Sequence, residues 1–148
     1  MYLDVVAEIR TSCARLNGRI TSGSGRISQL RSVNDDPPGQ RDVWVARLGP
    51  ITGDEQAGTR PVVVVSRDAF NEAGWGLCLC VPLTSRERGS PLHVEVTPPE
   101  GGLRAQSFAL VDQVRSLDRT RLVERWGTVT PVTHRRIATL LLRIVASG

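Results

Sequence analysis

The sequence predicts a mostly β fold with added helices, in the form of a small closed or nearly closed β-barrel with helices packed outside it. Short apolar runs separated by turn residues recur between residues 42 and 129, as in proteins built from many short strands. The last segment instead repeats apolar residues at helical spacing. A chain of 148 residues has room for one domain of about 100 residues and an appendage.

The predicted appendage is an N-terminal extension, residues 1–40, which we expect to be flexible or loosely packed. Residues 18–39 are rich in Gly, Ser and Pro and contain few side chains that a core would bury. The extension is interpreted as an unstructured tail or an overlong gene start, with a docking or autoinhibitory arm as the alternative. The predicted folded domain is residues 41–148.

Strands alternate with turns through most of this domain. They are predicted at residues 42–48, 62–65, 77–81, 92–96, 108–111 and 126–129. A short helix is predicted at residues 67–74, with Ser66 as its N-cap and Gly74 at its end. Asp118 is expected to cap a short turn that runs through Leu122 and Val123.

The second strand contains four consecutive valines, Val62–Val65. A β-branched run without alternation is typical of a strand that is buried on both faces. Proline lacks a ladder donor, so Pro61 is expected at the first position of this strand. Pro82 is expected to close the strand that begins at Leu77.

The C-terminal helix is predicted to open at Thr130-Pro131, with proline at its first position. Its apolar residues form one stripe. They are Ile137, Leu140, Leu141, Ile144 and Val145. We expect the stripe to cover the barrel, with a dimer interface as the alternative.

Composition restricts the partners. The chain has 19 basic and 15 acidic residues, a net charge of +4, and every basic residue is arginine. Arginine binds phosphate bidentately, which favours a polyanionic partner, although a genome biased towards arginine explains the same composition. The sequence contains no membrane-spanning apolar run and no signal-peptide pattern.

Cysteine and histidine spacing gives no sign of a metal site or a cofactor. Cys78 and Cys80 lie on the same side of one strand, which makes them poor disulfide partners, and with Cys13 they are interpreted as free thiols of a cytosolic protein. The two histidines are His93, which faces either solvent or a groove, and His134, which is expected on the surface.

Candidate functional residues cluster where strands begin and end. A polar loop over residues 49–59 brings Glu55 and Arg60 to the start of the valine strand, and Thr84 follows the strand that contains Cys78 and Cys80. Glu55 either assists proton transfer or pairs with an arginine, and Thr84 either donates to a phosphate or forms a turn. RNA transesterification fits residues of this kind, because the 2′-hydroxyl is an internal nucleophile and needs no metal.

Five blocks of sequence occur in an order that resembles the MazF/PemK toxin family. They are residues 42–50, 53–56, 60–66, 81–85 and 112–118, and the resemblance extends over residues 41–146. It implies an SH3-like barrel of the CcdB/PemK type that acts as a homodimer.

The resemblance also implies a function. This is a toxin that cleaves single-stranded RNA without a metal or cofactor, leaving 2′,3′-cyclic phosphate and 5′-hydroxyl ends, in the cytoplasm. Its catalytic residues would be Arg60, Thr84 and Glu55, and Arg60 would have an acid or base role. Its RNA-binding residues would be Gln113, Ser85, Arg86, Arg88, Asp54, Gln56 and His93.

A cognate antitoxin would lay an acidic, hydrophobic tail over the RNA groove, and DNA would be contacted only through the antitoxin complex. For Gln113, a backbone hydrogen bond at a corner is the alternative to reading a base edge. At the level of the whole chain, the alternatives are a CcdB-like gyrase poison with the same fold and an SH3-like interaction module without activity.

Overall fold

The structure, a computed structural model, describes residues 36–50, 53 and 58–147, and the elements below are those of these residues. The strands are β1 (Asp42–Arg47), β2 (Thr59–Val64), β3 (Leu77–Thr84), β4 (His93–Val96), β5 (Ser107–Leu110), β6 (Arg115–Asp118) and β7 (Leu122–Thr128). The helices are α1 (Asp68–Asn71) and α2 (Pro131–Val145). The predicted mostly β class with a C-terminal helix is confirmed.

The seven strands form one antiparallel sheet that curls but is not closed by hydrogen bonds. Its path runs β4-β5-β3-β2-β1-β7, and β6 pairs with β3 beside this path. The long strand β3 connects the two parts of the sheet, because Leu77–Cys80 pair with β6 whereas Leu83 and Thr84 pair with β5. The end of β3 therefore lies where the two parts of the sheet meet.

The valine strand is buried on both faces, as predicted. Val63 belongs to a core cluster between the sheet and α2, and Val62 and Val64 belong to a second cluster that contains Trp44. All three of these valines are fully buried. The sheet thus has apolar contacts on both sides of β2.

Both expectations about the prolines are wrong. Pro61 is the third residue of β2 and pairs with Val45, and Pro82 lies inside β3, where it pairs with Val62. Each proline is tolerated because one side of its strand has no partner at that point. Pairing between β2 and β3 begins only at Val62, and Pro82 falls between the parts of β3 that pair with β6 and with β5.

Helix α1 is shorter than predicted, and its N-cap is Arg67 and not Ser66. The Ser66 hydroxyl donates to Asn71 Oδ1 at 2.5 Å and accepts from the Leu79 backbone N–H at 2.9 Å. A buried hydroxyl with two such partners connects the helix to β3. Asn71 Nδ2 in turn donates to the Pro38 carbonyl at 2.8 Å. The residues just before β1 are therefore attached to the domain.

The start of α2 agrees with the prediction. Pro131 is in the first turn, and the Thr130 side chain accepts from the Thr133 backbone N–H at 3.2 Å. The Thr130 backbone N–H donates to Glu100 at 2.7 Å. Partial burial raises the pKa of Glu100, but hydrogen bonds from Thr133 and Thr130 and the charge of Arg136 outweigh it, so the pKa is lower than usual.

The apolar stripe of α2 covers the sheet only in its first half. Ile137 is fully buried, and Leu140 and Leu141 pack against the core. Ile144 and Val145 are 44% and 68% exposed, respectively. The expectation that the whole stripe covers the barrel is therefore wrong for its last turn.

Strand β6 was not predicted, because only Leu117 of its four residues is buried and its pattern is weak. β7 begins four residues earlier than the predicted last strand, so Leu122 and Val123 belong to this strand and not to the turn that was expected there. Asp118 does cap a turn, as expected, and its side chain accepts from the Thr120 backbone N–H at 2.9 Å. In the described part of the chain, no helix has the length and apolarity to cross a membrane.

Candidate active site

A cleft of about 580 Å³ lies between the starts of β2 and β5 and the end of β3. It brings Arg60 together with Thr84 and Ser85, which the sequence analysis selected from two separate blocks. Leu83 and Leu103, which also border it, are buried. The cleft therefore combines an apolar base with polar groups at its opening.

Arg60 enters the cleft from the second position of β2, where it pairs with Ala46 of β1. The loop before it is closed at its neck by two backbone hydrogen bonds, Leu48 N–H to the Gly58 carbonyl at 2.8 Å and Gly58 N–H to the Gly49 carbonyl at 3.1 Å. Gly58 and Gly49 both have positive φ angles, which glycine adopts without strain. The backbone of Arg60 is thus fixed while its side chain is half-buried at the cleft.

Thr84 is the last residue of β3 and is only 7% exposed. Its Oγ1 accepts a hydrogen bond from the Arg86 backbone N–H at 3.2 Å, which is the turn-forming role considered as an alternative for this residue. That bond uses a lone pair of the oxygen and not its proton. Thr84 therefore forms the turn and also borders the cleft.

The described residues around the cleft suit a bound phosphate. Arg60 and Arg104 are the charged groups among them, and no carboxylate is present. A guanidinium and nearby hydroxyl groups, those of Thr84 and Ser85, are donors that stabilise negative charge on phosphate oxygens.

Other predicted RNA-binding residues lie outside this cleft. Arg86 and Arg88 are exposed in the loop after Thr84, and half-buried Gln113 ends the turn after β5. The residues Asp54, Glu55 and Gln56 lie outside the described part of the chain.

Both histidines are at least partly buried and contact other groups of the protein. The His93 side chain is largely buried, with Nε2 3.5 Å from Asp112 Oδ1, and it borders a groove beside α2 with Arg135 and Arg136. His134 was expected to be solvated, but it is half-buried and its Nε2 lies 3.3 Å from the Val65 carbonyl. His134 therefore has a structural contact with the residue that follows β2.

Cys78 and Cys80 are buried and not bridged, as predicted, with their Sγ atoms 3.6 Å apart. Their mutual hydrogen bond lowers the pKa of Cys78, and the same bond together with burial raises the pKa of Cys80. Cys13 lies outside the described residues. Within the described ranges, no three His, Cys, Asp or Glu side chains come together in a way that would hold a metal ion.

The sequence analysis did not select Arg104 and Trp126, which also border the cleft. Arg104 is exposed in the segment between β4 and β5, and Trp126 is an exposed tryptophan in β7. Neither belongs to a block that carries the family resemblance. The available signal was an aromatic residue beside the charged pair Glu124 and Arg125 in a strand.

Comparisons with known proteins agree with this geometry. A family model described as "PemK-like, MazF-like toxin of type II toxin-antitoxin system" matches residues 39–145. The endoribonuclease toxin MazF of Escherichia coli (strain K12) is 41% identical over 90 residues, which are 60% of this chain and 76% of that protein.

Two solved structures share the fold. MazF from Deinococcus radiodurans (Form-I) aligns with a TM-score of 0.66 and 29% identity over 75% of this chain and 98% of that chain. A MazE-MazF structure from the same organism (Form-I) aligns with a TM-score of 0.58 and 28% identity over 75% of this chain and 98% of that chain. Because the family model covers most of the sequence, this chain belongs to the PemK-like, MazF-like toxin family of type II toxin–antitoxin systems.

Proposed function

We propose that this protein is the toxin of a toxin–antitoxin pair and acts as a sequence-selective, metal-independent endoribonuclease on single-stranded RNA. The observation that carries the proposal is the shared cleft of Arg60 and Thr84, where a phosphate would meet a permanent cation and a hydroxyl group. The relatives named above include an endoribonuclease with 41% identity, which supports the same activity.

The reaction is an internal transesterification. The 2′-oxygen attacks the neighbouring phosphorus, the bond from phosphorus to the 5′-oxygen breaks, and the products are a 2′,3′-cyclic phosphate and a 5′-hydroxyl end. One proton leaves the 2′-hydroxyl and one is added to the 5′-oxygen. Arg60 binds the nonbridging oxygens as negative charge grows on them, and Thr84 donates its hydroxyl proton to the same group. Glu55 or Arg60 takes part in the proton transfers.

The remaining RNA-binding residues extend the site along the backbone. Ser85, Arg86 and Arg88 follow Thr84 directly and bind phosphates on one side of it, which positions the RNA without reading its sequence. Gln113, Asp54 and Gln56 are proposed to contact bases. His93 lies in a different groove, so it contacts only RNA that continues beyond the cleft.

The partner of this toxin is a cognate antitoxin whose acidic, hydrophobic tail covers the RNA groove. We also propose a homodimer, because the last turn of α2 exposes Leu142, Ile144 and Val145. The protein would act in the cytoplasm, where its RNA substrates are, and would reach DNA only through the antitoxin complex. No observation favours the gyrase-poison alternative.

The test is cleavage of a long RNA by the purified protein in EDTA, with the 5′-hydroxyl ends mapped. We expect cleavage at a few sequence-related sites. Arg60→Ala should abolish it, and Arg60→Lys should be nearly as damaging because lysine lacks the planar fork. Arg119→Ala, at an exposed arginine in the turn between β6 and β7 that borders neither the cleft nor the groove of His93, is the matched control and should cleave normally. A folded Arg60→Ala protein that cleaves at the wild-type rate would refute the assignment of the site.

A further inference from the structure

Trp126 occupies an irregular position in the sheet. In the pairing of β7 with β1, Gly127 lies opposite Val43 and Arg125 lies opposite Trp44, so Trp126 between them has no partner on β1. It is the extra residue of a β-bulge, a feature that redirects a side chain and is frequent beside active sites. The redirected indole lies at the cleft that contains Arg60 and Thr84.

A glycine turn holds the backbone of Trp126 in place. Gly102 has a φ of +70°, and a Cβ atom added to it would lie 2.3 Å from the Trp126 carbonyl oxygen. A Cβ on Gly127 would lie 2.8 Å from the carbonyl carbon of Gly101. The turn and β7 are therefore in direct backbone contact that side chains would prevent. Buried Leu103 follows, and then Arg104 at the cleft.

The indole remains 42% exposed in this fixed position. Its Nε1 donates to Glu124 Oε2 at 3.4 Å, which uses the edge of the ring and not its faces. An exposed aromatic face beside two arginines is the combination with which proteins bind single-stranded nucleic acid, because each base stacks on the ring while the cations bind the backbone.

We propose that Trp126 forms a nucleobase-binding subsite in which a base next to the cleaved phosphate stacks on the indole and Arg104 binds the adjoining backbone. This inference rests on the proposed endoribonuclease function and extends it, since it assigns a base contact to a residue outside the family blocks. Stacking accepts every base, so the subsite contributes affinity and position more than sequence choice.

The test measures binding separately from cleavage. The probe is a short RNA that spans a mapped cleavage site and lacks the 2′-hydroxyl at the cleaved position, so that it binds without reacting. We expect it to quench tryptophan fluorescence, and we expect Trp126→Ala to remove most of the quenching and weaken binding about 5- to 150-fold. Trp126→Phe should restore much of the affinity, and Trp126→Leu, which has apolar bulk but no ring, should not.

A substrate change identifies the stacked base. Single abasic sites are placed along the probe, and each is titrated with wild type and with Trp126→Ala. At one position beside the cleaved phosphate, the abasic change should weaken wild-type binding but have little further effect on the variant. If an abasic site and Trp126→Ala weaken binding independently at every position, so that their effects multiply, the proposal is overturned.

Trp75→Ala is the matched control, because Trp75 is 43% exposed but packs edge-on against Phe70 and does not border the cleft. It should bind the probe like wild type. If the wild-type protein cleaves RNA but a folded Trp126→Ala protein binds the probe as tightly as wild type, the subsite is refuted and the proposed nuclease function is retained. If no RNA is cleaved, random-sequence RNA becomes the probe, and quenching that depends on Trp126 would retain the subsite without the nuclease.

Discussion

Thr84→Val removes both roles of the Thr84 hydroxyl, and measuring stability and cleavage rate separately then tells the two roles apart. Valine has nearly the shape of threonine but lacks the hydroxyl, so the variant removes both the donor to the phosphate and the acceptor for the Arg86 N–H. Thr84→Ser retains both polar roles and loses only one methyl group. Comparing the two variants therefore assigns any loss to the hydroxyl.

The two roles differ in magnitude. The turn bond is 3.2 Å long and its donor belongs to an exposed residue, which can bind water instead, so its loss should lower the free energy of unfolding by about 0.5–1 kcal/mol. Loss of one preorganised donor at a developing negative charge costs about 3 kcal/mol, or about a hundredfold in rate. Catalysis should therefore suffer far more than stability.

The assay is single-turnover cleavage of a short RNA at saturating enzyme, with the free energy of unfolding measured in urea for each variant. We expect Thr84→Val to be folded and about a hundredfold slower, and Thr84→Ser to recover most of the rate. A folded Thr84→Val protein that cleaves at the wild-type rate would show that Thr84 only forms the turn.

Three further outcomes are expected. Deleting residues 1–35 should leave folding and cleavage nearly unchanged. Deleting residues 1–40 should lower the free energy of unfolding in urea, because the Pro38 carbonyl accepts from Asn71 and the Gln40 side chain donates to the Val65 carbonyl. Equal stability of the two truncated proteins would contradict this expectation. Glu100→Gln should lower the free energy of unfolding at pH 7 by only about 0.5 kcal/mol, because the carboxylate is partly exposed and solvent screens its interactions. Since the folded-state pKa of Glu100 is lowered, this stabilisation is present above its usual value of 4.5 and is lost as the pH falls through the folded-state pKa, so wild type and variant should converge in acid. RNA affinity should fall about 50-fold between 50 and 200 mM salt when Arg60, Arg104, Arg86 and Arg88 each neutralise one phosphate, and about sevenfold when only the two arginines of the cleft do; a flat dependence would show that none does.

Local sequence patterns determined the elements whose partners are near in the chain. The run Val62–Val65 predicted a doubly buried strand, and Thr130-Pro131 predicted the start of α2, because β-branched packing and helix capping depend on adjacent residues. The sequence analysis also placed Arg60 and Thr84 near each other, at the start of one strand and just beyond the end of its neighbour. Their shared cleft agrees with that prediction, while their catalytic roles and the boundary at residue 40 stay predictions.

Tertiary structure decided which residues meet across the sheet. The bulge in β7 and the glycine turn bring Trp126 and Arg104 to the cleft. Pro82 is tolerated inside β3 because it lies between the residues that pair with β6 and those that pair with β5. These outcomes depend on register, which is set by pairing between residues far apart in sequence and has no local signature. The sequence alone thus predicted the class of fold and the placement of Arg60 near Thr84, while long-range register determined which other residues form the walls of their cleft.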